Sequence, residues 1–332
     1  MRRVGGLFDR ICEIENLRLA THRAIRGKRH RPAVEEFLSR CEAELSALSA
    51  DIADGTVTVG DYQHFVIHDP KRRRISAPSL RERILHHAIM NVCEPVLERF
   101  AIRDSYACRV GGGQHAALDR ALRCARNSRY FLKLDVRAYF DSIPKDRLLG
   151  KLQRRFRDKR LLHLLDRIIE SYEPGENRGL PIGALTSQHF ANFYLGYLDH
   201  YVKEVLRVKH YLRYMDDFVL WNHDRELLSS HRDAVVEFAA SQLGLDLKEP
   251  VLRPVQAGMD YLGHRVFPSG LRLNRRSRRR FRARVAELSS EIGKGDLGES
   301  EVQARLTSLV AATQKARCNS WRLAVCDRYG LG

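Results

Sequence analysis

Three aspartates set the chemistry that this chain could perform. Asp135 closes the apolar run YFLKLDV, and Asp216 and Asp217 sit side by side between two apolar stretches in HYLRYMDDFVLWN. An aspartate at a strand end is ordinarily a cap or turn residue, and an Asp-Asp pair is ordinarily the tip of a hairpin. The surroundings weigh against that reading here. Two adjacent like charges wrapped by apolar residues are costly to bury without a compensating cation. Nucleotidyl transfer supplies such cations: it needs two divalent ions roughly 3.5–4 Å apart, and hard cations take carboxylate oxygens. Asp135 can join the later pair only if their strands are neighbours in one sheet.

The elements that must position these acids follow from periodicity. Residues 130–136 read as a buried strand ending at a cleft, and residues 210–222 as a β-hairpin with the Asp pair at its tip. From Pro32, the residues Val34, Phe37, Leu38, Cys41, Leu45 and Leu48 mark one amphipathic helix, with the proline in its first turn. A short FVIH strand runs into the basic turn DPKRRRISAP, and Ile84, Leu85, Ala88, Ile89, Val92, Val96 and Leu97 mark a long helix after it. Another helix starts at Ser187, entered from the turn GLPIGALTSQ. Strand, helix and hairpin in this order predict an α+β sheet domain rather than a doubly wound one.

Composition narrows the class. The chain has 332 residues, with 58 Lys and Arg against 41 Asp and Glu, a formal net charge of +17. That length supports a real core in two or three subdomains, and that charge predicts a polyanionic partner. Residues 179–198 form the longest uncharged stretch, but their glycines, Pro181, Ser187, Gln188 and Asn192 exclude a membrane span. Asp9, Glu13 and Glu15 interrupt the N-terminus where a secretory signal needs its apolar core. Seven cysteines with no C-x-x-C pair fit reduced thiols and a cytoplasmic protein. Residues 272–284 hold eight arginines and no acid, on a helix whose apolar stripe is Phe281, Val285, Leu288 and Ile292. A solvated face ordinarily mixes charge signs, so phosphate is the counterion that best relieves this block.

The ordered set of motifs resembles the reverse transcriptases. FLKLDVRAYFDSI is similar to their motif A, GLPIGALTSQHFAN to motif B, RYMDDFVLW to motif C, KRRRISAPSLRERILHHAI to the fingers motif, and YLGHRV to the primer-grip segment. LPIGALTSQ, DSYACRVGGGQHAAL and LRERILHH are similar in turn to the enzymes of diversity-generating retroelements, bacterial or phage-encoded. Two residues depart from those relatives: Ala184 stands where they often carry Asn, and Gly112 where they often carry Lys.

The resemblance implies a right-hand polymerase with an antiparallel-sheet palm. Fingers would span 1–85 with 146–178, the palm 86–145 and 179–268, and a helical basic thumb 269–332. It implies RNA-directed DNA synthesis with Asp135, Asp216 and Asp217 as catalytic acids. Two Mg²⁺ ions, with Mn²⁺ as a substitute, would be held by these acids and Val136. Lys71, Arg73 and Arg74 would grip the incoming triphosphate, with Arg73 the best match by its distance to Pro78; a solvated basic turn is the competing reading. Phe140 would exclude a 2′-hydroxyl or be a core aromatic beside Tyr139. Ile182, Gly183 and Gln188 would line the nucleotide pocket. Ile182 replaces the family's usual glutamine and removes a hydrogen-bonding group, which predicts low fidelity. Lys248 would protonate the departing pyrophosphate, or be a surface lysine. Arg83 and the thumb arginines Arg275, Arg276, Arg278, Arg279, Arg280 and Arg282 would hold nucleic acid. The implied partners are template RNA, a primer/cDNA duplex, dNTPs and a small basic helical accessory protein, with no membrane. Retron, group II-like and phage-defence reverse transcriptases are the close alternatives, and a non-catalytic RNA-binding scaffold the distant one.

Overall fold

The computed structural model of the chain describes residues 3–68, 72–173, 175, 177–295 and 297–331. Four helices open it: α1 (Phe8–Cys12), α2 (Ile14–Ala24), α3 (Pro32–Ser39) and α4 (Cys41–Asp54). The single helix expected from Pro32 is thus two. Arg40 leaves helical geometry at φ −122° and ψ 23°, and Leu38 faces solvent. The hairpin β1 (Tyr62–Ile67) and β2 (Arg73–Pro78) follows, with Ile67 opposite Arg73. Arg73 and Arg74 therefore belong to a strand rather than to the expected basic turn, and Lys71 lies outside the described residues.

Helix α5 (Leu80–Glu98) starts at Ser79, whose hydroxyl accepts from the Glu82 amide. The Glu82 carboxylate reaches back to the amides of Gly60 and Asp61, 2.9 Å each, which ties the hairpin to the helix. Then come α6 (Gln114–Arg126), β3 (Tyr130–Asp135), α7 (Tyr139–Ser142), α8 (Lys145–Gln153), α9 (Lys159–Glu170) and α10 (Leu185–His200), which continues as a π-helical turn, Tyr201–Val205. Val4 exchanges backbone hydrogen bonds with Arg155 and Arg157, so the N-terminus packs beside α8 and α9.

The remainder comprises β4 (His210–Tyr214), β5 (Asp217–Asn222), α11 (Arg225–Leu243), β6 (Val251–Pro254), β7 (Met259–Tyr261), β8 (His264–Phe267), β9 (Gly270–Leu273), α12 (Arg275–Gly293), α13 (Glu299–Ala311) and α14 (Asn319–Arg328). The strand β9 pairs with β8, so the helical C-terminal part begins at Arg275, not at 269.

The central sheet has the order β4-β5-β3-β6, and each of its pairs is antiparallel. Strand alternation sends Leu132, Leu134, Phe218 and Leu220 into one core with α5, α10 and α11. Phe131, Val219 and Trp221 enter a second core with α6 and the β7-β8-β9 sheet. Helices pack on one side of this sheet and α6 on the other, an α+β arrangement of the kind that the resemblance implies for a palm.

Candidate active site

The β3–β5 register sets Asp135 directly opposite Asp217. Met215, at φ 54°, and Asp216 form the two-residue connection between β4 and β5. The Val136 amide donates to Asp216 O at 3.3 Å, which closes the ladder beside the pair. The sheet thus gathers Asp135, Val136, Asp216 and Asp217 at the ends of neighbouring strands.

Burial is the main force on the Asp216 and Asp217 carboxyls. Asp217 is pushed up to about 7, first by desolvation and then by the charges of Asp135 and Asp216, against the pull of Lys133. Asp216 is raised by burial and by Asp135, with Lys248 and Arg73 opposing. The counterions come from the chain itself. Lys133 Nζ lies 3.0 Å from Asp217 Oδ2, and Lys248 Nζ forms an ion pair with Asp135 Oδ1. Asp217 Oδ1 is buried without a hydrogen-bond partner among the described residues.

These donors suit a hard divalent cation, being carboxylate oxygens with one acceptor unsatisfied. Among the described residues no three His, Cys, Asp or Glu side chains form a ready cation cage. Each of the two lysines is instead paired with one carboxylate, Lys133 with Asp217 and Lys248 with Asp135. Lys133 escaped the sequence reading, although it stands two residues before Asp135 and strand alternation puts both on one face. It also donates to Asp260 O at 2.9 Å, which fixes β7 beside the acids.

A buried ion pair supports the tip from below. Arg213 and Asp199 are both fully buried and joined at 2.6 Å and 2.7 Å through two guanidinium nitrogens. Arg213 Nη1 also donates to Met215 O at 3.0 Å, so the guanidinium holds the turn that carries Asp216. An arginine in the otherwise apolar strand HYLRY was the available signal for it.

The turn before α10 docks on β2. Ser76 N donates to Ile182 O at 2.8 Å, and Gly183 has φ 128°. A Cβ at Gly183 would stand 2.8 Å from Ser76 O, so both conformation and space require glycine. Gln188 is exposed, and its Oε1 lies 3.9 Å from Cys108 Sγ, which is 4.0 Å from Met215 Sδ. This contact brings Gln188 close to the acid-bearing tip. Arg73 is exposed on β2 and acts electrostatically on Asp216; Arg74 follows it, also exposed. Phe140 is half-buried, edge-on to Tyr139 with ring centroids 5.9 Å apart. Arg83 turns back to donate to Pro78 O at 3.3 Å.

The arginine block divides between two faces of α12. Arg276 and Arg280 line a cavity of about 380 Å³ with Arg284. Arg275, Arg278, Arg279 and Arg282 line another of about 720 Å³, and Arg278 and Arg282 stand over the Trp321 ring at 5.1 Å and 5.6 Å.

A family model described as reverse transcriptase (RNA-dependent DNA polymerase) matches residues 68–266, more than half of the chain. The chain belongs to the reverse transcriptase family. Curated relatives of this reverse transcriptase include the group II intron-encoded protein LtrA of Lactococcus lactis, 22% identical over 49% of the chain and 29% of LtrA. The protein YkfC of Escherichia coli is 25% identical over 59% of the chain and 63% of YkfC. An uncharacterised 91 kDa protein in a cob intron of Schizosaccharomyces pombe is 27% identical over 40% of the chain and 17% of that protein. The chain thus spans less than two thirds of these relatives. Among solved structures, apo telomerase from Candida Tropicalis superimposes with a TM-score of 0.51 at 13% identity, over 86% of this chain and 65% of that one. Telomerase from the same organism with a fragment of telomeric RNA gives 0.51 at 13% identity, over 81% and 57%. At such identities the likeness is one of fold. Among the described residues no helix is long and apolar enough to cross a membrane.

Proposed function

We propose that this reverse transcriptase is an RNA-directed DNA polymerase whose catalytic acids are Asp135, Asp216 and Asp217. The observation that carries the reading is the β3–β5 register, which sets Asp135 against Asp217 with Asp216 at the adjoining turn. These carboxylates and Val136 would hold two Mg²⁺ ions in the working enzyme. Bound there, the ions would supply an activated primer hydroxyl and charge neutralisation at the triphosphate. The chain's own groups do the rest. Arg73 and Arg74, beside Lys71, present guanidinium donors to the triphosphate. Lys248, already on Asp135, delivers a proton to the leaving pyrophosphate. Phe140 excludes a ribonucleotide by bulk, while Arg83 and the α12 arginines bind the nucleic-acid backbone. Extension of a primed RNA with Mg²⁺ tests this directly. Asp216→Ala abolishes synthesis, and equal extension by the two proteins overturns the reading.

Within the family we infer a diversity-generating retroelement enzyme, which copies a template-repeat RNA into adenine-mutagenised cDNA with a small basic accessory protein in the cytoplasm. The support is the LPIGALTSQ string, in which Ile182 offers the nucleotide only apolar contact. Its backbone carbonyl is already engaged by Ser76. Sequencing cDNA made by wild type and Ile182→Gln checks the point: errors opposite adenine fall in the variant, and an unchanged error rate removes Ile182 from the explanation. The similarity to LtrA favours a second reading, a group II-like enzyme. Faithful copying of adenine by the wild type, with its accessory partner present, selects that one.

A further inference from the structure

A buried chain of polar groups crosses from the β1–β2 hairpin to the start of α10, on side chains that the proposed chemistry does not use. Glu82, His86 and Thr186 are all buried, His86 and Thr186 completely. The Glu82 oxygens accept from the Gly60 and Asp61 amides, one each, and Oε1 also faces His86 Nε2 at 3.3 Å. A carboxylate only accepts, so Nε2 carries a proton. On the other side of the ring, His86 Nδ1 lies 2.9 Å from Thr186 Oγ1.

Every side-chain nitrogen and oxygen of this relay therefore has a partner. Burying so many polar atoms is costly, and apolar side chains of similar volume serve stability as well or better. Hydrogen bonds are directional, however, and a fully satisfied network fixes one arrangement of the elements that it joins.

One end of the relay is the base of the hairpin. Gly60 and Asp61 lead into β1, and Ser79 N donates to Asp61 O at 3.0 Å where β2 ends. Further along β2 stand Arg73 and Arg74. The other end is the first turn of α10. Its N-cap, Ala184, supplies no side-chain cap, and the Thr186 hydroxyl engages His86 instead. Partners outside the helix thus set how the chain enters it. Ser76 N on Ile182 O, at 2.8 Å, is one of them, and a single hydrogen bond between strand and turn is a pivot. His86 on Thr186 adds a second attachment about one helical turn further on, which fixes the orientation. Apolar packing of α5 on α10 adds adhesion without direction.

We propose that His86 is a positioning residue of the nucleotide pocket: through Glu82 and Thr186 it holds the Ile182–Gly183 turn in one orientation to the hairpin that carries Arg73 and Arg74. This role rests on the reading of those four residues as the nucleotide pocket. His86 touches no substrate. It sets the separation between the apolar wall and the cationic wall, and a dNTP must meet both at once.

Two measurements on the full chain test this. The Kd of a dNTP is read on a complex with primed RNA and Mg²⁺ in which the primer ends in a dideoxynucleotide, so that no bond is made. KM and kcat are read from extension of an ordinary primer. Thr186→Val keeps the shape of the side chain and removes its hydroxyl. It raises the Kd and KM for dNTP about five-fold, the equivalent of one hydrogen bond, while the Kd for primed RNA stays at the wild-type value. Thr186→Ser retains a hydroxyl and restores both constants. His86→Leu raises them alike, and the double variant His86→Leu with Thr186→Val raises them no further, because both changes cut one relay.

A residue that only stabilised the fold would lower the melting temperature and the fraction of active enzyme, which reduces kcat at an unchanged KM. That pattern overturns the proposal. So do equal effects of Thr186→Val and Thr186→Ser, and so do effects of His86→Leu and Thr186→Val that multiply in the double variant. Where His86→Leu fails to fold, the two Thr186 variants decide alone. A wild type that binds dNTP on the terminated primer but extends no ordinary primer sinks the polymerase reading alone, since the Kd arm still reads the relay. One that extends primers while Thr186→Val keeps the wild-type Kd for dNTP sinks this proposal alone.

Discussion

Asp199→Asn is the sharpest structural perturbation available, because it leaves a buried guanidinium without its counterion. Arg213 uses all its donor nitrogens: Nε and Nη2 on Asp199, Nη1 on Asn192 Oδ1 and Met215 O, and Nη2 again on Asn192 O. Tyr211 completes the set by donating to Asp199 Oδ1 at 2.7 Å. Breaking a fully buried pair by removing one partner costs about 3–5 kcal/mol. At about 2 °C per kcal/mol for a chain of this size, the melting temperature falls by about 6–10 °C. The double variant Asp199→Leu with Arg213→Met replaces the pair by apolar volume. It regains part of the loss, short of about 1 kcal/mol each for the orphaned Tyr211 hydroxyl and Asn192 Oδ1. Primer extension separates two roles of the pair. The double variant lacks the donor to Met215 O, so the Asp216 turn loses its anchor and synthesis stays slow although stability returns. A double variant no more stable than Asp199→Asn refutes the buried-charge argument. One that extends primers at the wild-type rate refutes the positioning of the turn.

Three further outcomes follow from the same geometry. Gly183→Ala forces a methyl against Ser76 O at a φ of 128°, so stability falls by about 2 kcal/mol and extension falls with it; a neutral result in urea titration counts against the docking of this turn on β2. Lys133→Met strips the counterion from Asp217 and lowers the melting temperature in chelator. Added Mg²⁺ then raises it more than in wild type, and equal increments in a thermal melt reject the cation-holding role of Asp217. His87 is lowered to about 4, by burial first and then by Arg23 and other positive neighbours. The unfolded chain takes up its proton near pH 6.5 and the folded chain only near 4. The stabilisation is therefore complete above about 6.5 and lost as pH falls towards 4. Denaturation midpoints between about pH 7 and pH 5 check the slope, which His87→Gln flattens.

Much of the palm was legible because strands and helices that bury a face must repeat with a fixed period. YFLKLDV announced a strand buried on both sides, and the hairpin with Asp216 and Asp217 was placed by its flanking apolar runs. The same rule made Lys133 readable, since a residue two before Asp135 shares its face, yet only the contact with Asp217 gives that lysine a role. The two faces of α12 were also implicit in helical spacing: Arg276, Arg280 and Arg284 repeat every fourth residue, while Arg275, Arg278, Arg279 and Arg282 follow a neighbouring line. A dense charge block hid the distinction. Other features depend on tertiary partners. No proline or glycine marks the break at Arg40. The pairing of Arg213 with Asp199 joins a strand to a helix, and the relay through His86 joins α5 to α10.

The charge of the chain and the acidity of its centre are parts of one arrangement. A positive protein attracts polyanions but repels the divalent cations that nucleotidyl transfer requires, so a local negative site is necessary. Burying three carboxylates together is unstable by itself, and the protein meets this with Lys133 and Lys248, one for each of the two facing aspartates. Two ammoniums leave the three carboxylates short of neutrality: Asp216 has neither lysine, and Asp217 keeps one oxygen without a hydrogen-bond partner among the described residues. On the proposed reading, cations enter because of that deficit. With cations bound, the lysines would no longer be needed as counterions and Lys248 would be released for its proposed proton delivery, with Arg73 already near enough to act on Asp216. The resting ion pairs and the loaded site then use the same residues in turn, and Lys133→Met should impair the two states unequally: more in the resting fold than in a cation-saturated one.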